Sequence, residues 1–189
     1  MKIKHVFNFF LIASALLLST IGNAEEFKII QEEKTTLTFS YKQMGVSMEG
    51  RFKRFVAQLD FDPTKLDNAK AGIDLDIGSI DVGSDEGNGE VVGKLWFNAK
   101  TFPRASFIAS SVKPLGGNRY EVTGTLSIKG HTSIVKVPII FTHQGKVGIF
   151  DGVFFIKRAD FSIGEGSWST FDIVANDIQI KFRIMATAK

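Results

Sequence analysis

The sequence predicts an all-β protein of about eight antiparallel strands, closed as a sandwich or an up-and-down barrel. Three observations carry this. Apolar and polar residues alternate with a period of two through most of the chain after Ala24, and alternation marks a strand with one buried and one wet face. Short Gly- or Pro-containing breaks separate the runs, as in antiparallel hairpins. Phenylalanine is abundant, 18 of 189 residues, which suits a wide apolar interior or a Phe-rich packed core.

Residues 1–24 stand apart. Lys2, Lys4 and His5 precede an apolar run from Val6 to Leu18, and a small, polar exit ends at Ala24. This is the layout of a secretory signal peptide, and the run is short of the roughly 20 residues that span a bilayer. The expected mature domain is residues 25–189, exported to the periplasm of a Gram-negative source. Losing Lys2 and Lys4 takes the formal charge from +3 to +1. No basic run or dominant positive field points to nucleic acid. The chain has no cysteine, so stability needs a real core, and thiol catalysis and thiolate metal sites are excluded.

Glu25 to Glu33 is a mixed lead-in. Thr35 to Tyr41 is the first strand, with Leu37, Phe39 and Tyr41 on one face. Lys42 to Glu49 is a loop. Gly50 to Asp62 is the second strand, and the parity shift between Phe52 and Phe55 predicts a bulge near Arg54. Ala71 to Val82 is the third strand, Ile73, Leu75 and Ile77 inward and Asp74 and Asp76 outward. Two carboxylates at i and i+2 share a face, but no histidine or third carboxylate stands at a fixed spacing, so a solvated face is the reading.

Gly83 to Gly93 is turn-rich and acidic and lacks the lysine of a phosphate-binding loop; it reads as a surface loop. Val91 to Ala99 has Val92, Leu95 and Trp96 at helical spacing, a short helix able to lie over a barrel end. Ala105 to Val112 is a further strand. Arg119 to Thr142 is the clearest hairpin, turning at Lys129, Gly130 and His131. Val147 to Lys157 is apolar in part on both parities and is expected to be covered on both faces. Phe161 to Thr170 is a loop, and Phe171 to Ala186 closes the chain.

Classical catalytic signatures are missing: there is no HExxH and no GxSxG. His131 and His143 read as exposed turn and strand-end residues. The sharper cluster is Ile156 to Trp168, where Lys157, Arg158, Asp160 and Glu165 lie among Phe161, Ile163 and Trp168. Arg158 beside aromatics at a barrel mouth would grip a polar ligand head, or else pair with Asp160 to order a long loop. Parity and motif position put Phe39, Phe52, Phe107, Leu126, Phe141, Phe154, Phe161, Trp168 and Phe182 on a ligand wall.

Five segments in order resemble the YceI-like family of exported lipid-binding proteins. They are Leu59 to Pro63, Ile77 to Gly83, Trp96 to Ala99 with Phe102 to Phe107, Val122 to Gly130, and Arg158 to Gly164. The resemblance implies a single eight-stranded antiparallel lipocalin-like barrel with a short helix. It also implies an apolar channel for an isoprenoid quinone or other polyprenyl amphiphile, with no cofactor besides that lipid. Many members carry an Arg-Asp pair before the short helix, where this chain has Asn88-Gly89-Glu90 and then Gly93-Lys94-Leu95, so contacts made by that pair do not carry over. The segment Gly164 to Trp168 looks like a branch associated with membrane b-type cytochromes. That cytochrome and a homodimer are the protein partners this reading admits.

The expectation is a non-enzymatic carrier or sequestering protein. The alternatives are a redox partner or enzyme acting on a bound quinone, which needs a titrating or metal-binding group facing the cavity, and a stress-response interaction module with a filled interior.

Overall fold

The computed structural model describes residues 25–189; the signal-peptide reading of residues 1–24 lies outside the described residues. The elements are β1 (Phe27–Ile30), β2 (Thr36–Gln43), β3 (Val46–Phe52), β4 (Phe55–Asp60), β5 (Lys70–Asp76), β6 (Ile80–Asp81), α1 (Asp85–Val91), β7 (Arg104–Gly116), β8 (Arg119–Ile128), β9 (His131–Gln144), β10 (Val147–Lys157) and β11 (Asp177–Ala188). All pairings are antiparallel, in the order β4-β5-β7-β8-β9-β10-β11-β2-β3-β6. β1 adds to β11 and reaches the far side through the Phe27–Phe61 bridge.

The expected eight strands become eleven, for a physical reason. The predicted second strand breaks at Lys53–Arg54, where the parity shift lies, into β4 and the end of β3, whose first residues Val46 to Glu49 fall in the stretch read as a loop; the third breaks at Ile77–Ser79 into β5 and β6. Counting each broken strand once leaves eight long staves plus the short β1, which its mixed sequence hid. The bend lets one chain segment serve both ends of the sheet: β3 pairs with β2, and β4 pairs with β5. The sheet therefore curls into a barrel.

The break is stitched across. Lys53 N–H donates to the Ser79 carbonyl (3.1 Å) and Asp76 N–H to the Arg54 carbonyl (3.1 Å). The buried Ser79 hydroxyl donates to Asp76 O (2.7 Å) and accepts from Arg54 N (3.0 Å). Ser79→Ala leaves that amide without its acceptor and is expected to cost about 1–2 kcal/mol in chemical denaturation. On the outside, Arg54 pairs with Asp76 (2.9 Å) and Arg104 with Asp74 (2.8 Å), so the two carboxylates belong to a solvated ion-paired face.

The clearest hairpin folds as read. Residues 120, 122, 124, 126 and 128 of β8 are buried and the intervening ones are not. The two-residue turn Lys129–Gly130 has φ of 49° and 79°, the left-handed pair that matches the twist of antiparallel strands. β10 keeps its predicted bounds, but its outer face is uncovered: Val153 and Phe155 are 40% and 64% exposed.

The helix is displaced from its predicted place. α1 spans Asp85–Val91, inside the glycine-rich stretch read as loop, and residues 93–101 are turns. Ser84 caps it by accepting from Gly87 N–H (3.1 Å), and Asp85 and Glu86 occupy the positive first turn. Capping thus outweighs the helix-weakening glycines. Gly87 lies so close to the Val82 side chain that a Cβ would clash at 2.6 Å.

Candidate functional site

The interior is two cores with a hollow between them. At one end the rings of Phe27, Phe61, Tyr120, Phe141 and Phe150 interlock, with centroids 4.9–5.4 Å apart for Phe141–Phe150, Phe61–Phe141, Phe61–Phe150, Phe27–Phe141 and Phe61–Tyr120. At the other end Ile77, Trp96, Phe161 and Ile163 pack with Leu75, Ile128 and Val174. Ile73, Phe107, Val135, Phe154 and Phe182 touch both cores and are themselves only partly buried. All of these but Val135 line a hollow with a volume of about 620 Å³, within the roughly 300–1,000 Å³ of small-molecule sites.

Glycines keep it open. Phe39 lies over Gly50, its direct cross-strand partner, and Phe182 lies over Gly152, likewise its partner. Phe107 covers Gly124, where a Cβ would stand 2.5 Å from the ring. With no Cβ beneath, each ring lies down against the wall. Gly152→Ala is expected to lift the Phe182 ring into the lumen and to cost about 1–3 kcal/mol through overpacking. A lower melting temperature and a smaller bound fraction of any guest would show it.

Of the ten residues read as ligand-contacting, eight line the hollow: Phe39, Phe52, Phe107, Leu126, Phe154 and Phe182, with Arg158 and Trp168 at one end. Two do not. Phe141 belongs to the aromatic end core, and Phe161 is 1% exposed inside the other core. Phe141 has the correct inward parity on β9, but parity does not say how far along the barrel axis a side chain sits; Phe161 lies on the 3-10 turn Arg158–Phe161, where strand parity does not apply. The wall also includes Ile73, Ile77, Ile178 and Ile180, whose alternation was legible but which a search for aromatics passed over.

Arg158 lies with the wall but has no free donor. Its guanidinium donates to the carbonyls of Ile163 (2.8 Å), Gly164 (3.1 Å), Trp168 (2.7 Å), Thr170 (2.9 Å), Val174 (3.0 Å) and Ala175 (3.3 Å). The ring centroids of Trp96 and Phe171 lie 5.6 and 5.0 Å from its Cζ. Burial lowers its pKa from the ordinary value, yet a guanidinium keeps its proton in proteins. It orders residues 163–175 through backbone carbonyls, and Asp160 takes no part in this. Lys129, 6% exposed, anchors the same loop through Ser162 O (2.5 Å) and Glu165 Oε2 (2.7 Å). That hydrogen bond, with the lysine's charge, holds the Glu165 carboxyl below its ordinary pKa.

The open end is marked by wall residues that are also exposed: Ser84, Glu86 and Glu90, with α1 carrying both carboxylates at i and i+4 on one face. Trp168 Nε1 donates to Glu90 Oε1 (3.0 Å), and the Trp96 and Trp168 rings sit 5.2 Å apart. The Leu95 carbonyl accepts from Gly164 and Glu165 N–H (2.9 and 2.7 Å). α1 and the turn after it thus form a cap tied to the arginine-ordered loop. Tyr41 also lines the wall, and burial raises its phenol pKa. Among the described residues no group of three or more His, Cys, Asp or Glu is placed to hold a metal.

A closed antiparallel barrel with an apolar hollow beneath a short helical cap defines the lipocalin-like class. The chain belongs to the YceI-like domain family, whose model matches residues 29–186. It is similar to a UPF0312 protein of Shewanella denitrificans, 30% identical over 138 residues that make up 72% of each chain. It is also similar to the crystal structure of Burkholderia cenocepacia BcnA, with 44% identity and a TM-score of 0.82, over 84% of this chain and 99% of that one. A polyisoprenoid binding domain from Saccharophagus degradans, implicated in plant cell wall breakdown, shares the fold at 16% identity and a TM-score of 0.68, over 88% of this chain and 99% of that one.

Proposed function

We propose that this protein is a non-enzymatic carrier or sequestering protein for a long isoprenoid lipid, a quinone or polyprenyl amphiphile, acting in the periplasm after export. The observation that carries the reading is the hollow itself: phenylalanine rings laid flat over cross-strand glycines, leaving about 620 Å³ of apolar-walled space. A barrel selected only for stability would fill that space, since voids forfeit packing energy. The polyisoprenoid-binding neighbour supports the same reading from the side of the fold.

Affinity comes from burial. Removing roughly 300 Å² of ligand tail from water yields about 7–8 kcal/mol at about 25 cal/mol per Å², from which the entropic cost of association is subtracted. The test is to purify the exported protein without detergent, extract it with organic solvent and identify the extract by mass spectrometry. The stripped protein is then offered prenyl quinones and polyprenols. A stoichiometric isoprenoid is the expected result. Protein that comes out empty and stays empty overturns the reading.

A further inference from the structure

The apolar lining of the hollow runs out past the rim along the β2–β3 hairpin. Phe39, Tyr41 and Gln43 of β2 and Met48 and Phe52 of β3 line the hollow. Val46 pairs with Gln43 across the turn and so shares that cavity-facing side of the hairpin, yet it is 61% exposed. Met44 beside it is 76% exposed. The tip is tied to the loop that Arg158 orders. Met44 N–H donates to the Ile173 carbonyl (2.7 Å), Ala175 N–H donates to the Lys42 carbonyl (2.9 Å), and Gln43 forms a bridge with Val174. That loop adds Phe171 and Ile173, both exposed. Large apolar side chains thus gather at the end where the hollow opens, and such a patch marks an interaction surface.

Turn chemistry does not account for it. Met44 and Gly45 have φ of 50° and 82°, a two-residue turn whose first position suits Asn, Asp or Gly. A methionine there gains nothing for the turn and shows most of its surface. The neighbouring charges single out the kind of surface it meets. Lys42 and Asp172, next to the tip residues, are both exposed and offset each other. α1 brings exposed Asp85, Glu86 and Glu90 to the same end, against exposed Lys94 in the turn after it. An acidic partner or an anionic lipid surface is disfavoured there. The interface of a bilayer without net charge takes apolar side chains and asks for no countercharge.

We propose that the hairpin tip, Met44 and Val46 with Phe171 and Ile173, docks this end of the barrel on a zwitterionic lipid bilayer, so that a guest passes between membrane and hollow along the apolar track. The inference rests on the lipid-carrier reading and adds the surface from which the guest is drawn.

Phosphatidylcholine vesicles carrying a prenyl quinone test it, with the double variant Met44→Asn/Val46→Thr. Asn suits the left-handed turn position and Thr suits the strand, so an unchanged melt is expected. The parent protein floats with the vesicles. In the variant the vesicle-bound fraction and the initial rate of quinone uptake fall about tenfold. Equilibrium uptake of a short-tailed prenyl quinone from solution is unchanged and reports an intact hollow. Adding phosphatidylglycerol to the vesicles weakens docking at low salt, and less so as salt screens the carboxylates. Three results overturn docking and leave the carrier standing: a parent that binds the soluble quinone but neither floats nor loses uptake rate in the variant, tighter binding to the anionic vesicles, or a dimer in sedimentation that the variant dissociates. If the parent takes up quinone neither from solution nor from vesicles, the carrier reading falls and this inference falls with it.

Discussion

Phe154→Glu is expected to abolish lipid uptake while leaving a folded barrel. Phe154 sits at the waist of the hollow, packed against both cores and only partly buried. It pairs across to Ile180, another wall residue. A carboxylate there lies on the path of any apolar tail, and covering it with hydrocarbon without a partner costs several kcal/mol or forces it to take up a proton. Binding should fall by a factor of about 100 or more, since about 1.4 kcal/mol is tenfold. In the empty protein the carboxylate keeps the water of the hollow, so the far-ultraviolet dichroism and the cooperative melt survive. Phe154→Ala serves as the partner variant, because it widens the waist and retains binding. If Phe154→Glu binds a prenyl quinone as well as the parent does, Phe154 is not on the ligand wall.

Arg158→Met is expected to cost about 3–5 kcal/mol of stability, because several main-chain carbonyls lose their donor together at about 1–3 kcal/mol for each one left buried and unsatisfied. The side chain is 1% exposed and bonds the carbonyls of Ile163, Gly164, Trp168, Thr170, Val174 and Ala175. Methionine fills the space and satisfies none of them. Arg158→Lys restores little, because a single ammonium cannot fork to carbonyls on so many sides. Denaturant titration gives the stability change, and the loss of Trp168 order gives its location. A methionine variant within about 1 kcal/mol of the parent would show that these carbonyls find water at no cost.

Strand alternation made much of the fold readable before any coordinates. The run from Tyr120 to Ile128 follows from period-two patterning and the turn at Lys129–Gly130 from its glycine, and the bounds of β10 hold although both its parities are apolar in part. The break at Lys53–Arg54 was announced by the parity slip between Phe52 and Phe55. What stayed hidden has physical reasons. β1 is four residues with Lys28 among them, and it is a strand because β11 pairs with it. α1 contains two glycines and no apolar stripe; its existence depends on the Ser84 cap and on packing against Val82. Without that helix in place, Glu86 and Glu90 read as loop charges when they are in fact on the rim of the hollow. Arg158 was legible as an unusual residue, but its partners are main-chain carbonyls, and sequence carries no mark of those. Phe141 faces inward as expected, and its depth along the axis depends on ring-to-ring packing that alternation does not encode; Phe161 sits on a 3-10 turn that alternation does not describe.

The division of the interior has a consequence for how the molecule can breathe. The interlocked rings around Phe61 and Phe141 hold the floor of the barrel without help from a guest. The roof is tied by polar contacts such as Trp168 to Glu90 and Val82 N–H to Asn88 Oδ1 (2.7 Å), and opening is expected in that half, where it would admit a tail without unravelling the staves. A guest lying along the lumen would touch floor and roof together and would oppose that opening by mass action. Loading would then be felt as stiffening far from where the guest entered.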